Sequence, residues 1–153
     1  MAWSSTVPAA LTAILGVFQP APGLAGVPVR YGPVVTASGE TEVVVVGWGG
    51  NPSDLLAADG AVAGEGLAAS PDREQYVIRC AALVLDGGGD LAEATARAYQ
   101  LAAACGGALA ANRTLSGLVL RASVSSQALR LDQVSGARAT VEFGVAVDAF
   151  TSS

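Results

Sequence analysis

Side chains able to do chemistry are sparse in this sequence, and the gaps say as much as the residues present. All eight cations are Arg, and neither Lys nor His occurs among the 153 residues. Without His there is no Ser-His-Asp or Cys-His pair, no imidazole base and no His-ligated metal. Without Lys there is no Schiff base and no phosphate-loop lysine. Cys80 and Cys105 cannot close a Cys-only zinc site. Cys105 has no base or cation near it in sequence, and for both residues buried reduced thiols are the simpler reading. Thirteen carboxylates spread along the chain single out no catalytic pair. The balance points away from an enzyme, and no cofactor or metal is expected.

Three local motifs invite a sharper reading. Gly47-Trp48-Gly49-Gly50 follows a Val-rich run, as a dinucleotide-binding turn would. The next glycine of that fingerprint is replaced by Pro52, whose ring and missing N–H oppose the geometry, which leaves a strand-ending turn with a packed Trp. Gly87-Gly88-Gly89 between Asp86 and Asp90 lacks the carboxylate spacing of a calcium loop and reads as a turn into a capped helix. Asn112-Arg113-Thr114 is a glycosylation sequon, which has meaning only in a secreted chain.

Hydrophobic residues make up 52% of the chain and charged ones 14%. That composition fits one domain spanning residues 1–153, with more apolar surface than its charges can solvate. The surplus is expected to meet another subunit. A net charge of −5, with the arginines dispersed singly from Arg30 to Arg138, argues against binding to nucleic acid. Glu93, Arg97 and Gln100 interrupt the Ala-rich stretch 91–111, so it is not read as a membrane span. Nothing basic precedes the apolar stretch 7–18, so it is not read as a signal peptide. The expectation is a soluble chain, intracellular when made.

The elements that must position these residues follow from periodicity. Leu11, Ile14, Leu15 and Phe18 share one face of a helix over 7–19, with Thr6 as its N-cap and Pro8 in the first turn. A short extended segment over 27–31 precedes the run Glu42 to Trp48, whose four consecutive valines predict a strand covered on both faces. From Gly49 to Ser70 there is no sustained periodicity. This predicts a long loop holding a short strand or hairpin near 62–69; loops of that length are usually functional or disordered rather than plain connectors, and function is favoured here. Its acids Asp54, Asp59, Glu65 and Asp72 either solvate it, or form a surface that repels DNA or pairs with arginines of a neighbouring subunit. A strand over 73–85, an Asp90-capped helix over 91–111 with Leu91, Ala94, Ala98, Leu101, Cys105 and Leu109 on its core stripe, and strands over 118–131 and 138–150 complete the order. The fold class is α+β: a mixed or antiparallel sheet with two helices on one face and a long loop between strands.

Several segments, taken in order, resemble one family. They are Val7-Pro8-Ala9-Ala10-Leu11, the stretch Ala21 to Val29, the strand end Val46-Gly47-Trp48-Gly49-Gly50, the strand Glu74 to Cys80, the helix start Asp90 to Ala94, and the final alternating strand. Together they resemble the tail terminator proteins of long-tailed (siphovirus) bacteriophages of the actinobacteriophage type. The resemblance implies a non-enzymatic virion protein at the head-proximal end of the tail, made in the host cytoplasm. Such a protein forms a homohexameric ring that caps the tail tube, stops its polymerisation and receives the head or neck. The implied partners are further copies of the chain, the tail tube protein and the head-tail connector, with DNA passing through unbound and no membrane involved. Trp48, Asn51, Asp54, Asp59 and Glu65 become candidates for the subunit or tube interface, and Asp54 and Asp59 for a DNA-repelling lumen. A connector or stopper, a tube subunit, or a small ligand-binding α+β domain are the alternatives.

Overall fold

The computed structural model describes residues 4–33, 40–64, 72–133 and 136–151. Helix α1, Val7–Phe18, carries Pro8 in its first turn and buries Ala10, Leu11, Ile14 and Phe18. Its expected cap is not formed. Thr6 has helical backbone angles and makes no side-chain cap bond, because its hydroxyl and N–H both turn to Glu74. A 3-10 turn over Pro22–Leu24 leads into β1, Val29–Tyr31, followed by β2, Glu42–Val46.

Next come β3, Ala58–Ala63, β4, Arg73–Asp86, α2, Leu91–Ala111, β5, Arg121–Asp132, and β6, Ala137–Phe150. The six strands form one sheet in the order β1-β2-β4-β6-β5, with β3 also paired to β4. β1 and β2 run parallel and every other pairing is antiparallel, so the sheet is mixed. β6 pairs with β4 along its whole length, while β2 takes Cys80 to Val84 of the other edge and β3 takes Arg73 to Ile78.

Helix α2 begins where Asp90 accepts a hydrogen bond from the Glu93 N–H at 3.0 Å, the geometry of an N-cap. Its buried stripe is Ala94, Ala98, Leu101, Cys105 and Leu109, while Leu91, expected on the same stripe, is only partly buried because it stands in the first turn at the rim of the core. Both helices lie on one face of the sheet, against Tyr76, Ile78, Cys80, Ala82 and Val84 of β4 and Val141, Phe143, Val145 and Val147 of β6. The rings of Phe18 and Phe143 meet there with centroids 6.3 Å apart. β2 is covered twice: Val44 and Val46 enter this core, and Val43 and Val45 pack with Trp48 and Leu83 on the opposite face. The α+β architecture read from the sequence is the one observed.

Most boundaries fall within two residues of expectation, and two differ by more. The stretch without periodicity contains a strand earlier than predicted, β3 at Ala58–Ala63, in a hairpin register with β4. Gly60 and the small residues around it hide its alternation. The strand expected from Leu118 begins only at Arg121, because Leu115 and Ser116 adopt positive φ and turn Leu115 and Val119 into the core. No described helix is long and apolar enough to cross a membrane.

Candidate assembly interface

Alternation along β4 and β6 sorts their side chains, and the face without helices receives the ones that sequence reasoning singled out. β4 presents Arg73, Gln75, Val77, Arg79, Ala81 and Leu83 there, and β6 presents Thr140, Glu142, Gly144, Ala146 and Asp148. The segment 47–57 folds back over part of this face. Gly49 and Gly50 permit it: a Cβ on Gly49 would sit 2.5 Å from Glu142 Oε1, and one on Gly50 2.6 Å from Thr140 Cγ2. Gly50 also has a φ of +82°.

Trp48 lies beneath this segment. It is only 2% exposed, and its indole N–H donates to the Asn51 carbonyl at 3.0 Å. It therefore presents almost no surface to a partner and instead anchors the loop from inside. Asn51 is also committed within the chain, its Oδ1 accepting from the Ser53 N–H at 2.9 Å. Both were candidate contact residues, and both shape the loop that would make the contact.

Asp54 closes the loop onto the sheet. Its carboxylate accepts from the Leu56 N–H at 3.2 Å and pairs with Arg79 at 2.6 Å. Those two interactions, the backbone bond first, hold its carboxyl below the usual carboxylate range. Arg79 also approaches Glu142 at 3.5 Å, and Glu142 pairs with Arg130 of β5 at 2.6 Å. The chain of alternating charge runs across the helix-free face from loop to edge strand. A second pair, Arg73 with Asp148, bridges β4 and β6, and its hydrogen bond keeps the Asp148 carboxyl low.

Beside the loop the face stays open as a trough of about 830 Å³, lined among others by Asp59, Val77, Arg121, Ser123, Ala146 and Asp148. Asp59 stands exposed on β3 and makes no hydrogen bond or ion pair among the described residues. Asp54 and Asp59 thus share one face but differ in state: the first is neutralised and the second is not. Glu65 lies outside the described residues.

Sequence reasoning missed the most enclosed polar group. Glu74, 2% exposed, receives the Thr6 N–H and Thr6 hydroxyl at 2.5 Å each and the Ser5 hydroxyl at 2.9 Å. Thr6 Oγ1 lies 2.9 Å from the Tyr76 hydroxyl, whose pKa is raised mainly by burial. β4 thereby supplies the anion at the start of α1 that the helix's own first turn lacks. No local pattern betrays a partner 68 residues away. The thiols follow the expected reading: Cys80 and Cys105 are buried and free, with Cys105 pushed up to about 12 by desolvation and Cys80 raised further for the same reason.

No protein-family model and no curated protein matches the chain. Among solved structures, a chain from the virion of a native gene transfer agent particle superposes with a TM-score of 0.63. The match covers 95% of this chain and 98% of that one, at 13% sequence identity. At that identity the likeness defines a shared fold over essentially the whole of both chains.

Proposed function

We propose that this protein is a structural component of a phage-type virion, a tail terminator acting as a homohexameric ring. The observation that carries the reading is the whole-chain fold shared with a gene transfer agent virion chain, joined to the order of segments that resembles tail terminators. The surface chemistry is compatible. Its helix-free face offers Arg79 and Arg130 beside an open trough, and arginine is enriched at protein interfaces. The role assigned to the ring is to cap the tail tube, halt its growth and receive the head connector while DNA passes through.

Of the two roles weighed for Asp54 and Asp59, subunit contact is favoured over a repelling lumen. Asp54 is compensated by Arg79, so Asp59 alone would have to supply the repelling field, whereas one uncompensated carboxylate is enough to register a contact. Electron microscopy and native mass of the purified protein, alone and with tail tubes, test the function. Single rings, free or on tube ends, are expected. Open-ended stacks would instead make it a tube subunit, and a monomer that never decorates tube ends would overturn the reading.

A further inference from the structure

Three strands have an outer edge that is unpaired among the described residues: β1, only three residues long, and the longer β3 and β5, which carry opposite charge. β5 ends the sheet on the side away from β1. Its start is closed from outside, where the Arg113 carbonyl accepts the Ala122 N–H at 2.7 Å, but among the described residues no other backbone bonds the outer edge from Ser123 to Leu131. β3 is likewise paired on its β4 side only. Val124, Leu129 and Leu131 project from β5 largely exposed. The strand contains no Pro, and although its register shifts between Val124 and Ser126, the run from Ser126 to Leu131 is regular. That run leaves a row of backbone groups to which a further strand can pair.

Charge selects the partner. The stretch 112–138 carries Arg113, Arg121, Arg130 and Arg138 against the single acid Asp132, in a chain whose net charge is −5. β3 is flanked by Asp54 and Asp72 and carries Asp59, with no cation anywhere from Gly49 to Asp72. Internal pairing removes Asp54 and Arg130 from the count. Asp59 and Arg121 are left facing the same trough with no ion pair among the described residues. A β5-on-β5 contact would set arginine against arginine, whereas β5 against β3 joins opposite signs.

We propose that the β5 edge of one copy adds to the β3 edge of the next, continuing the sheet from subunit to subunit in a head-to-tail contact. Arg121 stands on the basic side of each junction and Asp59 on the acidic side. This specifies the contact by which the ring proposed above would close, and it rests on that reading for closure alone.

Charge reversal with mixing tests it, read by native mass and light scattering at low ionic strength, where such contacts are least screened. Asp59→Arg and Arg121→Glu are each expected to weaken self-association by roughly tenfold or more. An equimolar mixture of the two variants is expected to assemble again, because each acidic edge then finds a basic one. Assembly of either single variant like the parent, or a mixture no better than its components, overturns the edge pairing while leaving the ring intact as a reading. A parent chain that never self-associates, with or without tubes, overturns both. Because a reversal could act through folding, Ala57→Cys and Ser123→Cys copies mixed with a short bismaleimide give an independent readout, since β3 and β5 run in opposite directions and a register that sets Arg121 by Asp59 sets Ser123 by Ala57. Dimers joining the two variants are expected, and no dimers, or only like-with-like ones, from self-associated protein would overturn the proposal.

Discussion

Glu74 occupies an inward position of β4 where its neighbours on the same face are Tyr76 and Ile78. A carboxylate survives there because three donors converge on it. Replacing it by Ala strands the Thr6 N–H and hydroxyl in a dry site, at an expected cost of about 2–3 kcal/mol in chemical denaturation. Glu74→Gln, which keeps acceptor capacity on one atom, should cost less, and equal losses in the two variants would contradict the account. Trp48 belongs to the same scale. Trp48→Ala should cost about 3–5 kcal/mol by emptying the small core against Val43, Val45 and Leu83, whereas Trp48→Phe forfeits mainly the bond to Asn51. The packed Trp was legible from Pro52, which spoils any phosphate turn. That packing also removes it from direct contact was not legible, because it depends on the approach of Gly49 and Gly50 to Glu142 and Thr140, about ninety residues further along the chain.

Helix α2 shows what a single segment can declare for itself. Its start is written in Asp90 and the preceding glycines, its face in the spacing of Ala94, Ala98, Leu101, Cys105 and Leu109, and both were read correctly because every signal is local. β3 is the opposite case, since its pairing with β4 rather than any alternation makes it a strand. The 47–57 segment yields a pH prediction. The Asp54 carboxyl titrates below its ordinary value in the folded chain, so its contribution is present above the unfolded pKa and is lost as pH falls through the folded one. Hydrogen exchange across Gly49 to Ala57 should therefore quicken as pH drops below about 4, after correction for intrinsic rates. Asp54→Asn should show the faster exchange already at pH 7. Equal protection in parent and variant at pH 7 would dissociate Asp54 from loop closure.

The α+β layout, with both helices on one face, could be anticipated because two amphipathic helices and several alternating strands admit few arrangements. Which strand edges stay open could not, since that requires the order in which strands assemble. An acidic chain with its arginines mostly tied to carboxylates should bind duplex DNA poorly. Fluorescence anisotropy at physiological salt is expected to show no binding at micromolar protein. Sub-micromolar affinity would be incompatible with a passive conduit.

Cys80 and Cys105 sit on the facing surfaces of β4 and α2, fully enclosed and with their thiolates suppressed. Sheet and helix must separate before either sulfur can meet a reagent. The chain therefore carries an intrinsic clock for its own opening: the rate at which a thiol probe labels the unmodified protein reports how often that layer comes apart. If assembly slows such opening, labelling in the ring should lag labelling in the monomer, with no mutation introduced.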